Sequence, residues 1–528
     1  MSQFINAKDT IVTDAIDGTL RAAGGRLARL DGYPHTRVVV RADWTREGVA
    51  LVSGGGSGHE PSHAGFVGRG MLTAAVCGDV FASPSVEAVL AGILAVTGEA
   101  GCLLIVKNYT GDRLNFGLAA ERARASGLDV RMVIVDDDIA LPELPQARGV
   151  AGTLFVHKIA GAVAEAGGDL DAVSAAAERV IAGVRTIGTV QRIAEGHAEL
   201  GLGIHGEPGV ETVAVSGAAQ AMGLVVDRLA AGMADGPHAV LLNNLGGTTP
   251  LEMAILTDAL AGSRIGERQH WMVGPAAMMT ALDMHGFSVS LLPLEAGRPE
   301  ALLAPVEPGA WPGAVALGEV TVRALPDGSS PVPPAASSHP ARRAFLERCC
   351  TTFIGAEEEL DALDALSGDG DTGSTLAGAA RALQGALERL PLADETLLLR
   401  AIGAELAQTM GGSSGVLLAI CFAAAADASA NGEPLHAALR AGLARIREVG
   451  GAQPGDRTMI DALQPALDAL DRGLPAAADA ARKGANATAG MTRARAGRSS
   501  YVGADRLAGN NDPGAEAVAR LFEALGGA

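Results

Sequence analysis

The chain changes character across residues 326–341, which read PDGSSPVPPAASSHPA. Pro, Ser and Ala at that density suit an extended, solvated connector. Before it, short apolar runs rich in β-branched residues alternate with Ala- and Leu-rich stretches. Arg37–Arg41, Val49–Ser53, Cys102–Val106, Val130–Val135 and Ala239–Leu242 read as strands. Pro84–Ala95, Leu114–Ala125, Gly152–Ala166 and Val215–Ala231 read as helices. That alternation predicts an α/β unit with a largely parallel sheet. After the connector the strand runs stop. Arg342–Ala365, Leu397–Thr409, Val416–Ala430, Leu435–Val449 and Gly514–Leu525 read as helices, so the second unit is expected to be all-α. A chain of 528 residues exceeds one hydrophobic core. The expected division is residues 1–328, a linker at 329–341, and residues 342–528.

The formal net charge is −19. That excludes a nucleic-acid partner, whose phosphates call for clustered Lys and Arg. It leaves room for a nucleotide, a small anion held locally. The five cysteines are odd in number and form no CxxC pair, which fits reduced thiols in the cytoplasm. The first ten residues, MSQFINAKDT, lack the apolar core of a signal peptide. The apolar stretch Gly415–Ala426 ends at Asp427 and reads as too short to span a bilayer, so no membrane partner is expected.

Polar glycine loops carry the chemistry. In Leu363–Thr375, LDALSGDGDTGST, the carboxylates of Asp364, Asp369 and Asp371 converge on one loop, a hard oxygen set suited to Mg²⁺. Ser374 and Thr375 follow where a helix can begin, and a helix N-terminus is a phosphate seat. The plain alternative for GDGD alone is an exposed turn. GGSSG (411–415), PGDRTM (454–459), GRSSY (497–501) and NDPG (511–514) are further loops between helices. No Gly-Lys dipeptide occurs, which excludes a Walker A loop.

In the first unit, LVSGGGSGHEP (51–61) runs from strand through glycines to His59 and Glu60. Ligands of open α/β sheets sit outside the carboxyl ends of strands. CLLIVKNYTGD (102–112) brings Lys107, Asn108 and Asp112 to such an end, LGIHGEPG (202–209) sets His205 between glycines, and NNLGG (243–247) follows another strand. Neutral imidazoles suit base and nucleophile roles near pH 7. A lone loop histidine is usually a surface residue; two of them with Lys and Asp at strand ends read as a polyol site.

These motifs resemble a known family. SGGGSGHEP, CGDVFASPS, KNYTGD, GTLFVHKIAGAVAE and GLGIHGEPG are similar to the DhaK-type ketose-binding domain of dihydroxyacetone kinases. LDALSGDGDTGST, GGSSG, GAQPGDRTMIDALQP, RAGRSSYVG and NDPGA are similar to the DhaL-type nucleotide-binding domain. The resemblance covers nearly the whole chain, in the order of the single-chain, ATP-dependent kinases. It implies a helical barrel for the second unit and a homodimer. It implies that His205 bonds covalently to the ketose carbonyl carbon. His59 and Asp112 would serve as base and orienting groups, with Gly56, Ser57, Gly58 and Lys107 completing the ketose site. Asp364, Asp369 and Asp371 would hold Mg²⁺ on the phosphates of ATP. Thr372, Gly373, Ser374, Thr375, Ser413, Ser414, Gly450, Met459, Arg498, Asp512, Pro513 and Gly514 would line the nucleotide.

Relatives carry a longer stretch ahead of the covalent histidine than RTIGTVQRIAEGHAELG (185–201). The resemblance implies dihydroxyacetone as the substrate, and the shortened stretch opens a four-carbon ketose such as erythrulose as the alternative. FMN cyclase activity on FAD is a further alternative, using the metal and nucleotide loops without His205. A ketose sensor would have lost the metal or histidine residues, and they are all present. A phosphocarrier-dependent subunit with fixed ADP would keep the two domains on separate chains.

Overall fold

In the computed structural model, residues 4–141, 146–192, 196–233, 235–295, 298–326 and 333–527 are described. The side chains of residues 190–192, 269, 270 and 498 lie outside that description, as do residues 329–332 of the expected linker. The chain divides into two compact units, Met1–Val322 and Arg323–Ala528.

The first unit contains two sheets. β1 (Leu27–Arg29), β2 (Val38–Arg41), β3 (Ala50–Ser57), β4 (Ala74–Val80), β5 (Cys102–Lys107) and β6 (Val130–Val135) form one, in the order β1-β2-β4-β3-β5-β6. Its helices are α1 (Ile11–Ala22), α2 (Val86–Val96) and α3 (Thr110–Ala125). β4, β3, β5 and β6 run parallel, while β1, β2 and β4 pair antiparallel. β3 is buried along its whole length, as a central strand covered on both faces must be.

Helices α4 (Thr153–Glu165) and α5 (Leu170–Gly183) lead to the second sheet, and α6 (Ala218–Ala230), α7 (Pro250–Ala261) and α8 (Arg298–Leu303) accompany it. Its strands are β7 (Arg185–Arg192), β8 (His197–Leu200), β9 (Glu211–Ala214), β10 (His238–Asn244), β11 (Gln269–Ala277), β12 (Gly286–Pro293) and β13 (Ala314–Val315), in the order β13-β11-β10-β12-β7-β8-β9. Here the expectation of largely parallel pairing fails. Only β10 and β11 are parallel; every other neighbour is antiparallel. The links between β7, β8 and β9 are too short for the crossover of a dozen or more residues that parallel pairing needs. β9 also takes up the ground before α6, which starts at Ala218 and not at Val215. Leu154, Phe155 and Ile159 of α4 and Val173 and Val180 of α5 share one buried cluster with Leu51, Leu103 and Ile105 of the first sheet. Leu241, Val273 and Leu292 of the second sheet belong to the same cluster. The two helices thus fill the layer between the sheets.

The second unit is helical: α9 (Pro340–Gly355), α10 (Glu357–Asp364), α11 (Thr372–Ala386), α12 (Glu395–Thr409), α13 (Gly412–Ala430), α14 (Leu435–Gly450), α15 (Ile460–Ala469), α16 (Leu474–Thr488), α17 (Ala504–Leu507) and α18 (Pro513–Gly526). The single helix expected over Arg342–Ala365 is two, broken at Gly355–Ala356. Packing runs α9 to α11, α12, α13, α14, α15, α16, α18 and back to α9, a closed ring of staves. α13 is longer than its sequence suggested. Its 19 residues are long and apolar enough to cross a membrane by length and composition alone. In the fold it packs between α12 and α14.

Candidate active site

Strand β3 ends in glycines because a side chain there would strike a neighbouring turn. A Cβ on Gly56 would lie 2.8 Å from the Ala82 nitrogen, and one on Gly58, whose φ is +98°, would lie 2.7 Å from the Phe81 ring. The bare backbone lets the Phe81 ring stand against two imidazoles, with centroids 5.2 Å from His59 and 5.5 Å from His205. Tyr109 covers His205 from another side at 4.6 Å, edge to face. Lys107, at the end of β5, and Asp112, in the first turn of α3, converge on Gly55. A Cβ there would lie 3.5 Å from Lys107 Nζ and 3.3 Å from Asp112 Oδ2.

The imidazoles are fixed by their outer nitrogens. His59 Nδ1 lies 2.8 Å from the Thr280 carbonyl, which only accepts, so Nδ1 carries the proton and Nε2 a lone pair. His205 Nδ1 lies 3.4 Å from the Glu207 carboxylate, which only accepts, so that nitrogen also carries a proton. The His205 backbone N–H donates to the other Glu207 oxygen at 2.8 Å. The two Nε2 atoms then face each other at 3.1 Å. At that distance the two ring edges are within hydrogen-bond reach of each other.

Burial, with the Lys107 charge adding to it, holds the His59 imidazole well below its ordinary value. Burial likewise pushes the Lys107 ammonium down, against the pull of Asp112, Asp137 and Glu207. It pushes Asp112 up, against Lys107, the Ser83 hydroxyl and His205. Burial also opposes ionisation of Glu207, but hydrogen bonds from the His205 ring and from two backbone N–H groups prevail and bring it to about 2. Lys107 Nζ, Asp112 Oδ1 and the Tyr109 hydroxyl are buried without hydrogen-bond partners among the described residues. Buried donors and acceptors left this way mark a place for a polar ligand or water.

In the helical unit, Asp364 closes α10. Its Oδ2 accepts the backbone N–H groups of Gly370, Asp371 and Thr372 at 3.2, 3.0 and 3.2 Å, wrapping the next loop around one carboxylate. Gly370, at φ +80°, makes that turn possible. Asp364, Asp369 and Asp371 each place an oxygen within 4.8 Å of the others, the first buried and the other two exposed. An all-carboxylate set of that size fits a small hard cation such as Mg²⁺.

Not every expected residue faces a ligand. Thr372 and Thr375 stand in the first turn of α11, but Gly373 packs its backbone on α10, where a Cβ would lie 1.9 Å from the Glu357 carbonyl. Ser374 spends its N–H on Asp361 and its hydroxyl on the Asp371 carbonyl. The Ser57 hydroxyl donates to Gly78 at 2.9 Å. Ser413 and Ser414 are exposed in the first turn of α13, and Gly450 ends α14. Met459 meets Gly514 at the start of α18, 3.2 Å from where its Cβ would be. Asp512 caps α18, accepting the Ala515 N–H at 2.9 Å, with Pro513 next in the helix. Arg498 opens a short turn, and its side chain lies outside the described atoms.

The sequence reading passed over Gly55, Phe81, Tyr109, Glu207 and Thr280. Tyr109 and Glu207 sit inside the motifs KNYTGD and GIHGEPG and were open to inspection. Thr280 lies 221 residues from His59 and gives no local signal.

Residues 18–310 match the Dak1 domain family and residues 367–527 the DAK2 domain family. The chain is 49% identical to a dihydroxyacetone kinase of Citrobacter freundii over 99% of each chain. It is 42% identical to a putative 3,4-dihydroxy-2-butanone kinase of Solanum lycopersicum, over 99% of this chain and 97% of that one. The crystal structure of the C. freundii kinase in complex with AMP-PNP and Mg²⁺ aligns with a TM-score of 0.67 at 47% identity, over 100% of this chain and 99% of that one.

Proposed function

The chain belongs to the dihydroxyacetone kinase family, and from that premise we propose that it transfers the γ-phosphate of ATP to a terminal hydroxyl of a short ketose, dihydroxyacetone first. The observation that carries this reading is the pair of histidines, His59 and His205, whose Nε2 atoms stand 3.1 Å apart close to the buried Lys107 and Asp112. A ketose suits that pair: its carbonyl carbon takes the His205 lone pair and its hydroxyl proton the His59 lone pair.

His205 Nε2 adds to the carbonyl carbon, forming a C–N bond while the carbonyl π pair moves to oxygen. That oxygen gains a proton, and the imidazole loses the Nδ1 proton that faces Glu207, so the hemiaminal is neutral. His59 Nε2 then accepts the proton of the terminal hydroxyl as its oxygen bonds to the γ-phosphorus and the bond to ADP breaks. Lys107 and Asp112 orient the ketose oxygens. Asp364, Asp369 and Asp371 would hold Mg²⁺, which when bound neutralises charge on the phosphate oxygens. Thr372, Thr375 and the turns at Met459 and Gly514 would seat the nucleotide. Glycerol lacks the carbonyl and cannot form the adduct.

The short β7–β8 hairpin just ahead of His205 favours a second reading, a four-carbon ketose as substrate. Five free thiols support a reducing, cytoplasmic setting, and the homodimer carries over from the family. The test is an ATP-coupled kinase assay over dihydroxyacetone, glyceraldehyde, both erythruloses and glycerol. Turnover of the ketoses with none on glycerol supports the reading. Equal turnover of glycerol defeats it.

A further inference from the structure

Arg457 is the largest fully buried side chain among the described residues, at 0% exposure. It belongs to the PGDRTM loop, yet it points beneath a different loop. Its Nη2 donates to the Asn510 carbonyl at 2.9 Å and lies 3.4 Å from the Leu507 carbonyl. Its Nη1 stands 4.0 Å from Asp512 Oδ2. To reach them the residue adopts φ +62°, which side chains bearing a Cβ rarely do. Asp461 secures the loop itself, accepting the N–H groups of Gly455 and Thr458. Two residues on, Met459 meets Gly514 from the other side of the same turn. The PGDRTM and NDPG loops are therefore joined twice, by an apolar contact at Met459 and by a guanidinium at Arg457. The guanidinium spreads these contacts over two nitrogens of one rigid plane, Nη2 on the carbonyls and Nη1 toward the carboxylate, whereas an ammonium would offer its three donors from a single point on a flexible stem.

We propose that Arg457 is a positioning residue of the nucleotide site: by pinning the Leu507 and Asn510 carbonyls and facing Asp512, it sets the height of the turn that begins α18. The inference rests on the reading of the helical unit as the nucleotide site and adds to it the residue that holds two of its loops together. Arg457 is buried and touches neither substrate. Its effect is on how well the Asp512–Gly514 turn is preformed, and therefore on nucleotide affinity.

The test uses the full chain and titrates ATP with Mg²⁺ by calorimetry, without ketose. Arg457→Met is expected to weaken binding about tenfold or more, with ketose adduct formation at His205 as in the wild type. Arg457→Lys is expected to recover part of the loss. Leu399→Ala, a core change in α12 of the same unit, serves as a control for stability. It is expected to lower the melting temperature and leave nucleotide affinity within about threefold, since its buried cluster contains no residue of either loop. Wild-type affinity in Arg457→Met, or an equal loss in Leu399→Ala, overturns the proposal. If Arg457→Met does not fold, Arg457→Lys decides: a clear loss of affinity with normal ketose capture supports the pin, and wild-type affinity refutes it. A wild-type chain that binds no nucleotide overturns the reading of the helical unit, and this inference with it.

Discussion

In the first unit the chemical groups are hidden: His59 and Lys107 are fully buried, Asp112 is nearly so, and all three charge states are pushed toward neutral by burial. In the second unit Asp369 and Asp371 stand exposed on a loop wrapped around one buried carboxylate, Asp364. The difference follows from what each end must hold. A base that takes a hydroxyl proton needs a neutral imidazole with its lone pair kept from water, which the strand end and the Thr280 contact provide for His59, while His205 keeps a partly open face. A metal–phosphate group carries high charge and must exchange, so it calls for charged ligands at the surface and for helix N-termini beside them.

The comparison breaks first at His205. His205→Ala is expected to lower ketose phosphorylation about 10⁴-fold or more, while ATP affinity measured by calorimetry stays at the wild-type value. Any cyclase activity on FAD would survive this change. Loss of nucleotide binding in the variant would mean that the two sites do not divide the work as described.

The converse change is Asp369→Ala or Asp371→Ala. Metal-dependent turnover is expected to fall about 10³-fold or more, and the ketose adduct, weighed by native mass spectrometry, is expected to form unchanged. Undiminished turnover in either variant would remove that carboxylate from the metal set.

Much of the site was legible because it lies in short contiguous motifs at strand ends: His59, Lys107, Asp112 and His205 in the first unit, the three aspartates in the second. What was not legible depends on distant partners. The tautomer of His59 is set by Thr280, and no pattern near either residue announces that bond. Asp112 read as a loop residue because Thr-Gly precedes it, whereas α3 begins at Thr110 and places the carboxylate in a helical first turn. The antiparallel half of the first unit was missed because β9 is largely exposed and only four residues long, too little for alternation to register. Gly373 looked like a phosphate-loop glycine; its absent side chain serves contact between α10 and α11.

A smaller effect sharpens the contrast in burial. His157 is buried beside His63, with Nε2 3.2 Å from the Ser53 hydroxyl, and burial, aided by the Lys107 charge, lowers it to about 3. The fold favours its neutral form. That stabilisation is fully present above the unfolded value of about 6.5 and is lost as pH falls toward the folded value, because unfolding takes up a proton. The wild-type advantage over His157→Gln in denaturant unfolding is expected to shrink by up to about 1.4 kcal/mol per pH unit between pH 6 and 4. A constant difference would show that the residue is not held neutral.

The central claim is covalent capture of the ketose by His205 ahead of phosphoryl transfer. The direct measurement is ¹³C NMR of dihydroxyacetone labelled at its carbonyl carbon, added to the full chain without ATP. The protein-bound signal is expected to leave the carbonyl region for that of a tetrahedral carbon, and His205→Ala is expected to abolish the shift. A bound signal that stays in the carbonyl region, in a wild-type sample that turns over normally once ATP and Mg²⁺ are added, would contradict it.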